Sequence, residues 1–143
     1  RDMQKYAVQV GGGSNHRMGL YDMIMIKDTH ADGAGGLKQA LEKVNAANAG
    51  HRYSVSCETR TLDEVGIALE GNANLIMLDN MEVEMMREAS ALIGDRAVVE
   101  ITGMVTLERI GELSTLGADR VSIGALTHSA PILDLSMKTI LRG

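Results

Sequence analysis

Short apolar segments alternate with amphipathic helical segments through most of this chain. From the second apolar segment onward, the pattern repeats about every 22 residues. This alternation predicts a parallel sheet whose strands are joined by right-handed crossover helices. The five apolar segments are residues 23–26, 53–57, 75–78, 98–101 and 121–123.

The segments between these strands carry apolar residues at helical spacing, as at Leu37, Ala40, Leu41 and Val44. Thr61 with Glu64 forms a capping-box pattern at one helix start, and Gly71 and Gly117 suit left-handed helix ends. A repeat this short and even favours an α/β fold of the (β/α) barrel type over a doubly wound open sheet.

Length and charge narrow the class of protein further. The 143 residues, 45% of them hydrophobic, make one domain without a linker. Fourteen basic residues against nineteen acidic ones argue against a nucleic-acid partner, and no apolar run is long enough to suggest a membrane partner. The single Cys57 excludes a disulfide framework and a cysteine-rich zinc site, and it predicts a cytoplasmic location.

Polar residues follow the apolar segments directly. Because the carboxyl ends of parallel strands share one edge, we expect these residues to converge there. Lys27, Glu58 and Asp79 together can hold a magnesium–phosphate substrate. Each can equally be an ordinary strand end. The strand-end residues are Lys27, Asp28, Glu58, Asp79, Asn80, Thr102, Gly103 and Gly124.

Two further segments suggest anion binding. The glycine-rich turn at residues 11–13 precedes His16 and Arg17, whose charge suits a carboxylate or phosphate. His128 follows Gly124 after the last strand, an arrangement that suits a phosphate site. The alternatives are a flexible turn and an ordinary loop histidine.

The two remaining histidines give weaker signals. His30 can serve as a second imidazole of the pocket, whereas His51 is expected to be solvated. No pair of histidines has the helical spacing of a metal site.

Taken in order, the blocks of this chain resemble those of quinolinate phosphoribosyltransferase, also called carboxylating nicotinate-nucleotide pyrophosphorylase. The resemblance covers essentially the whole chain, and the blocks are specific as an ordered set. They comprise residues 5–8, 11–17, 19–22, 26–30, 58–64, 76–80, 121–129 and 133–134.

The resemblance implies a reaction in which the ring nitrogen of quinolinate displaces pyrophosphate from magnesium-bound phosphoribosyl pyrophosphate. The 2-carboxylate then leaves as carbon dioxide, giving nicotinate mononucleotide for NAD biosynthesis. It implies Mg²⁺ as cofactor, quinolinate and phosphoribosyl pyrophosphate as small-molecule substrates, and a homodimer for the full-length protein.

The resemblance also implies roles for individual residues. His16, Arg17 and Lys27 would bind the substrate carboxylates, and Lys27, Glu58 and Asp79 would be catalytic. Glu58 and Asp79 would also face Mg²⁺, directly or through water or substrate. The 5′-phosphate would be bound by Thr102, Gly103, Gly124 and His128.

This chain departs from the family pattern at several positions. Thr29 replaces an asparagine, Ser56 an acidic residue, and Met104 the second glycine of a Ser-Gly-Gly block. Met104 places a side chain where a close backbone approach is wanted, which puts phosphate affinity in question.

Family members carry an N-terminal domain and a first barrel strand with a Thr-Arg-Lys-Thr block. We therefore interpret residues 1–143 as a partial (β/α)-barrel catalytic domain, and as a fragment rather than a natural remnant. We expect no turnover by these residues alone.

Two alternatives remain open on the sequence. One is a catalytically silent module that binds phosphoribosyl ligands or assembles with another subunit. The other is a different phosphate-binding barrel enzyme, such as a molybdenum-associated homologue of the family. The intact residues Lys27, Glu58 and Asp79 count against the first, and the Lys27–Asp28 pair disfavours the second.

Overall fold

The computed structural model describes residues 1–140 and has an α/β fold. Its centre is a five-stranded parallel sheet with the strands in chain order. A doubly wound sheet would reverse its order partway, so consecutive order is the barrel-type arrangement that the even repeat predicts. The strands are β1 (Ile24–Ile26), β2 (Val55–Thr59), β3 (Leu75–Asp79), β4 (Val98–Thr102) and β5 (Arg120–Val121).

Helices precede, connect and follow the strands. They are α1 (Asp2–Val10), α2 (Asp28–Ala34), α3 (Leu37–Ala47), α4 (Leu62–Glu70), α5 (Val83–Ile93), α6 (Leu107–Leu113) and α7 (Ala125–His128), with a 3₁₀ turn at Gly94–Arg96. All four helices predicted from apolar spacing are present. Within residues 1–140, no helix has the length and apolar character needed to span a membrane.

The hydrophobic core lies between the sheet and the connecting helices. Alternate residues of β2 to β4 point into it, including the fully buried Cys57, Ile76 and Ile101. Helix α5 covers them with Met86 and Ile93. Fully burying one such side chain contributes about 1.5–3 kcal/mol, so this layer supplies much of the stability.

The helix ends follow the predicted pattern in part. Thr61 caps α4 by accepting the N–H of Glu64 at 3.2 Å. Gly117 has the predicted left-handed backbone, with φ of 75°. Gly71, however, has φ of −78°, and Asn72 takes the left-handed conformation instead. Position 71 needs glycine for a different reason, because a Cβ there would lie 2.7 Å from Leu41.

Candidate active site

The second face of the sheet points away from the core helices and carries polar residues at matching levels. Glu58 on β2 is level with Met77 on β3, which is level with Glu100 on β4. Two residues further along β3 and β4, toward the carboxyl edge of the sheet, Asp79 is level with Thr102. Parallel pairing therefore places Glu58, Asp79 and Thr102 near one edge of the sheet, as the strand-end pattern predicts.

Lys27 follows β1 and forms an ion pair with Glu58. The distance from Lys27 Nζ to Glu58 Oε1 is 3.0 Å. The lysine side chain is 48% exposed and the glutamate side chain only 13% exposed, so the ammonium group lies at the solvent end of the pair. Asp79 is half-buried at the end of the neighbouring strand.

Three residues after β3 and β4 adopt left-handed backbone conformations. Asn80 has φ of 51°, Gly103 of 86° and Met104 of 44°. A Cβ on Gly103 would overlap the side-chain amide of Asn80, so this position requires glycine for both conformation and space. Met104 is strained and 80% exposed at the same edge. The loops after these two neighbouring strands therefore pack closely where Gly103 passes the side chain of Asn80.

Gly124 and His128 lie together after β5. The ring of His128 approaches Gly124 so closely that a Cβ there would be 3.2 Å from Nε2. The imidazole Nδ1 and the Ser129 hydroxyl are 2.7 Å apart. The two residues predicted from the Gly-Ala-Leu-Thr-His-Ser block therefore form one local cluster.

Lys5 of α1 holds the segment from Gly11 to Arg17, which we call the glycine-rich loop. Its Nζ donates hydrogen bonds to the carbonyl oxygens of His16 at 2.6 Å and Arg17 at 2.9 Å. Asn15 returns a bond from its side-chain amide to the Lys5 carbonyl at 3.0 Å. The Arg17 guanidinium donates to the carbonyl of Met23 at 3.0 Å. Sequence analysis missed Lys5 as a holder of this loop, because a lysine on a helix is usually solvated.

Glu100 is a second residue that sequence analysis missed. It is only 2% exposed, accepts a hydrogen bond from the Ser122 hydroxyl at 2.5 Å, and lies 3.9 Å from His16 Nε2. The available signal was a single charge inside the otherwise apolar run Val98–Ile101. Buried carboxylates are rare because desolvation is costly, so such a charge indicates a functional or structural role.

A cavity of about 1120 Å³ lies between this face of the sheet, α1 and the glycine-rich loop. It brings together His16, Arg17, Gly124 and Glu100. In the part of the chain that the structure describes, the residues lining it do not include Lys27. The structure therefore groups the predicted positions into a His16–Arg17 side and a Lys27–Glu58 side.

The remaining predicted positions have local explanations. His30 Nδ1 accepts the backbone N–H of Lys27 at 3.0 Å, so the ring closes the start of α2 through this nitrogen. Its role as a second imidazole of the pocket stays a prediction. His51 is exposed, as expected. Ser56 is fully buried, with no hydrogen-bond partner for its hydroxyl within residues 1–140.

Among the described residues, no group of three or more His, Cys, Asp or Glu side chains is arranged to hold a metal ion. Glu58 is paired with Lys27, whereas Asp79, the other carboxylate expected to face Mg²⁺, has no ion pair within residues 1–140. This donor set does not form a protein-only metal cage. It suits a metal that is held mainly by the phosphates of a substrate.

Residues 1–138 match the family described as quinolinate phosphoribosyl transferase, C-terminal domain. The chain belongs to this family. It is 43% identical to a Nicotiana glauca protein named quinolinate phosphoribosyltransferase [decarboxylating] 2, mitochondrial, with 96% of this chain and 44% of that protein covered. It is 39% identical to a probable carboxylating nicotinate-nucleotide pyrophosphorylase of Bacillus subtilis, with 99% and 48% covered.

The solved structures agree with this assignment. The crystal structure of NadC from Streptococcus pyogenes superposes with a TM-score of 0.86 at 40% identity, covering 95% of this chain and 47% of that one. The chain thus spans about half the length of the relatives that it matches.

Proposed function

We propose that the protein carrying this chain is a quinolinate phosphoribosyltransferase that forms nicotinate mononucleotide for NAD biosynthesis. The observation that carries the proposal is the family match over residues 1–138. The charged strand-end residues of that match lie along one edge of the parallel sheet. Two anionic substrates need cationic groups next to carboxylates that favour positive charge, and this edge offers both.

His16, Arg17 and Lys27 are proposed to bind the quinolinate carboxylates. Arginine suits a planar carboxylate because its guanidinium can form two parallel hydrogen bonds. One guanidinium nitrogen of Arg17 already donates a hydrogen bond to the Met23 carbonyl. This bond fixes the direction of the arginine side chain and leaves its other N–H groups free to bind a ligand. The Lys27 ammonium, half-exposed beside Glu58, supplies the second charge.

Glu58 and Asp79 are proposed to face the ribose and its pyrophosphate. As the bond from ribose C1 to pyrophosphate breaks, positive charge grows on the sugar, and nearby carboxylates stabilise it. Lys27 holds Glu58 in place at 3.0 Å, so the carboxylate is oriented before substrate arrives. The residues fit Mg²⁺ carried by the substrate phosphates, where Asp79 is the carboxylate best placed to contact it; the ion would neutralise charge on the leaving pyrophosphate.

Thr102, Gly103, Gly124 and His128 are proposed to bind the 5′-phosphate. The left-handed backbone of Gly103 packs against the Asn80 side chain, and the ring of His128 lies against Gly124. A hydroxyl, an imidazole and backbone N–H groups are suitable donors for phosphate oxygens.

The reaction balances without a redox partner. The lone pair of the quinolinate nitrogen forms a bond to ribose C1, and the C1–oxygen bond electrons leave with pyrophosphate. The bond from ring carbon 2 to its carboxylate then breaks and carbon dioxide leaves. The electron pair of that bond stays on ring carbon 2, where it accepts a proton. Cationic side chains of the carboxylate site would stabilise the ring while it carries that pair.

Assembly and location remain part of the proposal. We propose a homodimer in the cytoplasm for the full protein. The buried, unpaired Cys57 is consistent with a reducing compartment.

The silent binding module is retained as the second candidate because Met104 places a strained side chain at the phosphate edge. The two candidates differ in one measurement, carbon dioxide release from carboxyl-labelled quinolinate by the purified full-length protein with Mg²⁺ and phosphoribosyl pyrophosphate. An enzyme releases label only when both substrates are present. Binding of phosphoribosyl pyrophosphate without release would favour the silent module.

Substrate choice has a separate test. Quinolinate is expected to bind more tightly than nicotinate, because its second carboxylate adds a charge-assisted contact. Equal dissociation constants by calorimetry would remove quinolinate as the assigned substrate.

A further inference from the structure

Glu100 is a buried carboxylate for which the proposed function has no role. It sits in the middle of β4 on the polar face of the sheet, with 2% of its surface exposed. Removing an ionised carboxylate from water costs several kcal/mol unless partners compensate it. The Ser122 hydroxyl supplies one such partner at 2.5 Å from Oε1. The polar side of Glu100 thus faces β5 and the cavity.

The other neighbour of Glu100 is His16, whose ring orientation is set by its own loop. The backbone N–H of Arg17 donates to His16 Nδ1 at 2.8 Å, so that nitrogen acts as an acceptor. In the neutral ring the proton is then on Nε2. Nε2 lies 3.9 Å from Glu100 Oε1. This distance is too long for a direct hydrogen bond, and it leaves a charge–dipole attraction between the Nε2–H group and the buried carboxylate.

These contacts connect the residue after β5, the middle of β4 and the glycine-rich loop. Ser122 holds Glu100, Glu100 faces the His16 ring, and the ring accepts the N–H of Arg17. The loop backbone is held independently from α1, since Lys5 donates to the carbonyls of both His16 and Arg17. Arg17 is therefore placed from two sides.

We propose that Glu100, held by Ser122, is a positioning residue that acts through His16 to place Arg17 for binding a substrate carboxylate. This inference rests on the proposed function, in which Arg17 binds quinolinate. Glu100 itself does not need to touch the substrate.

The direction in which one substitution changes quinolinate affinity distinguishes this positioning role from a simple effect of charge. Glu100→Gln removes a negative charge from a cavity that would take a dianion, so charge alone predicts tighter quinolinate binding. Loss of positioning predicts weaker binding, because the amide attracts the His16 ring less than a carboxylate does. We expect the quinolinate dissociation constant of the full-length protein to rise about tenfold, a typical size for losing a charge-assisted contact.

Three companion measurements locate the effect. In Glu100→Gln we expect little change in the dissociation constant of phosphoribosyl pyrophosphate or in the melting temperature. A general structural defect would change both quantities. Ser122→Ala, which keeps all charges, should weaken quinolinate binding in the same direction by about threefold. Glu112→Gln removes the same charge from an exposed site on α6 and should have no effect.

A double-mutant cycle with His16→Gln is the decisive experiment. If Glu100 acts through His16, then Glu100→Gln causes no further loss of quinolinate affinity in a His16→Gln background. Additive losses, or tighter binding by Glu100→Gln alone, would overturn the inference while leaving the proposed function in place. If Glu100→Gln does not fold, the cycle of Ser122→Ala with His16→Gln decides in the same way. Absence of quinolinate binding by the unsubstituted protein overturns the proposed function and this inference together.

Discussion

The two faces of the central sheet are built from the same strands and carry opposite chemistry. The face toward the helices is apolar and fully buried, with Cys57, Ile76, Leu78, Val99 and Ile101 each at most 1% exposed. The opposite face carries polar residues among its apolar ones, including Ser56, Glu58, Asp79, Glu100 and Thr102. Because side chains alternate along a strand, residues that stabilise the fold lie next to residues that serve the site.

Substitutions at neighbouring positions of one strand should therefore change different properties, stability on one face and activity on the other. Changes on the helix-facing side should lower the free energy of unfolding and leave the activity of the folded molecules intact. Changes on the polar face should lower activity and leave unfolding nearly unchanged. In the full-length protein, stability and activity should therefore respond to different substitutions.

The largest effect is expected for Ile76→Ala. Ile76 is 0% exposed between β2 and β4, so its truncation leaves a cavity in the core. The free energy of unfolding should fall by about 2–5 kcal/mol, measured by urea denaturation. Met77→Leu, on the other face at the next position, is the control and should cost less than about 1.5 kcal/mol. A loss of turnover by folded Ile76→Ala protein would contradict the separation.

Glu58→Gln and Asp79→Asn should each lower kcat by about 100-fold, the typical cost of losing one electrostatic stabiliser of a transition state. The KM for quinolinate should change little, since these carboxylates are proposed to act on the ribose. The melting temperature should stay within a few degrees. Glu42→Gln, an exposed charge on α3, is the matched control. Wild-type turnover in both variants at saturating Mg²⁺ would remove the proposed roles.

Met104→Gly should improve the loop that follows β4, at the edge of the polar face. Met104 has φ of 44° and is 80% exposed, so glycine removes backbone strain and loses little packing. We expect a gain of about 0.5–1 kcal/mol in stability and a tighter dissociation constant for phosphoribosyl pyrophosphate. Met104→Ala retains the Cβ, and therefore the strain, and should show neither gain. Weaker binding by the glycine variant would mean that the methionine side chain contributes to the site.

The smallest effect at neutral pH is expected at Cys57. Burial raises the pKa of its thiol from the ordinary value of 9.0 to about 12. The folded state therefore holds the proton more tightly than the unfolded state. The protonated thiol's contribution to the free energy of unfolding is fully present below pH 9 and is lost as the pH rises toward 12. Thiol-reactive dyes at pH 8 should label the protein only after denaturant unfolds it, and rapid labelling of native protein would show that the helix-facing side opens easily.

Much of the architecture was predictable because its signals are local. Short apolar runs locate the strands to within two residues, and apolar residues at helical spacing identify α3, α4, α5 and α6. Parallel connection then requires that all strand ends with Lys27, Glu58 and Asp79 share an edge. The strand β5 is the weakest agreement, since it covers two residues where three were predicted. The pocket role suggested for His30 stays a prediction, and the hydrogen bond from the Lys27 backbone to its ring was not predictable, because it forms only once α2 has folded.

The (β/α) order, the core positions and the ordered blocks that place the chain in its family can be recognised in the sequence, because they depend on residues near one another in the chain. The approach of Glu100 to His16, the bonds from Lys5 to the loop and the pairing of Lys27 with Glu58 become visible only in the folded chain. Each of these contacts joins two separate elements, and its geometry depends on strand register and on how α1 lies over the sheet. Desolvation at those junctions makes the pairing energetically important, and no periodicity in the sequence records it.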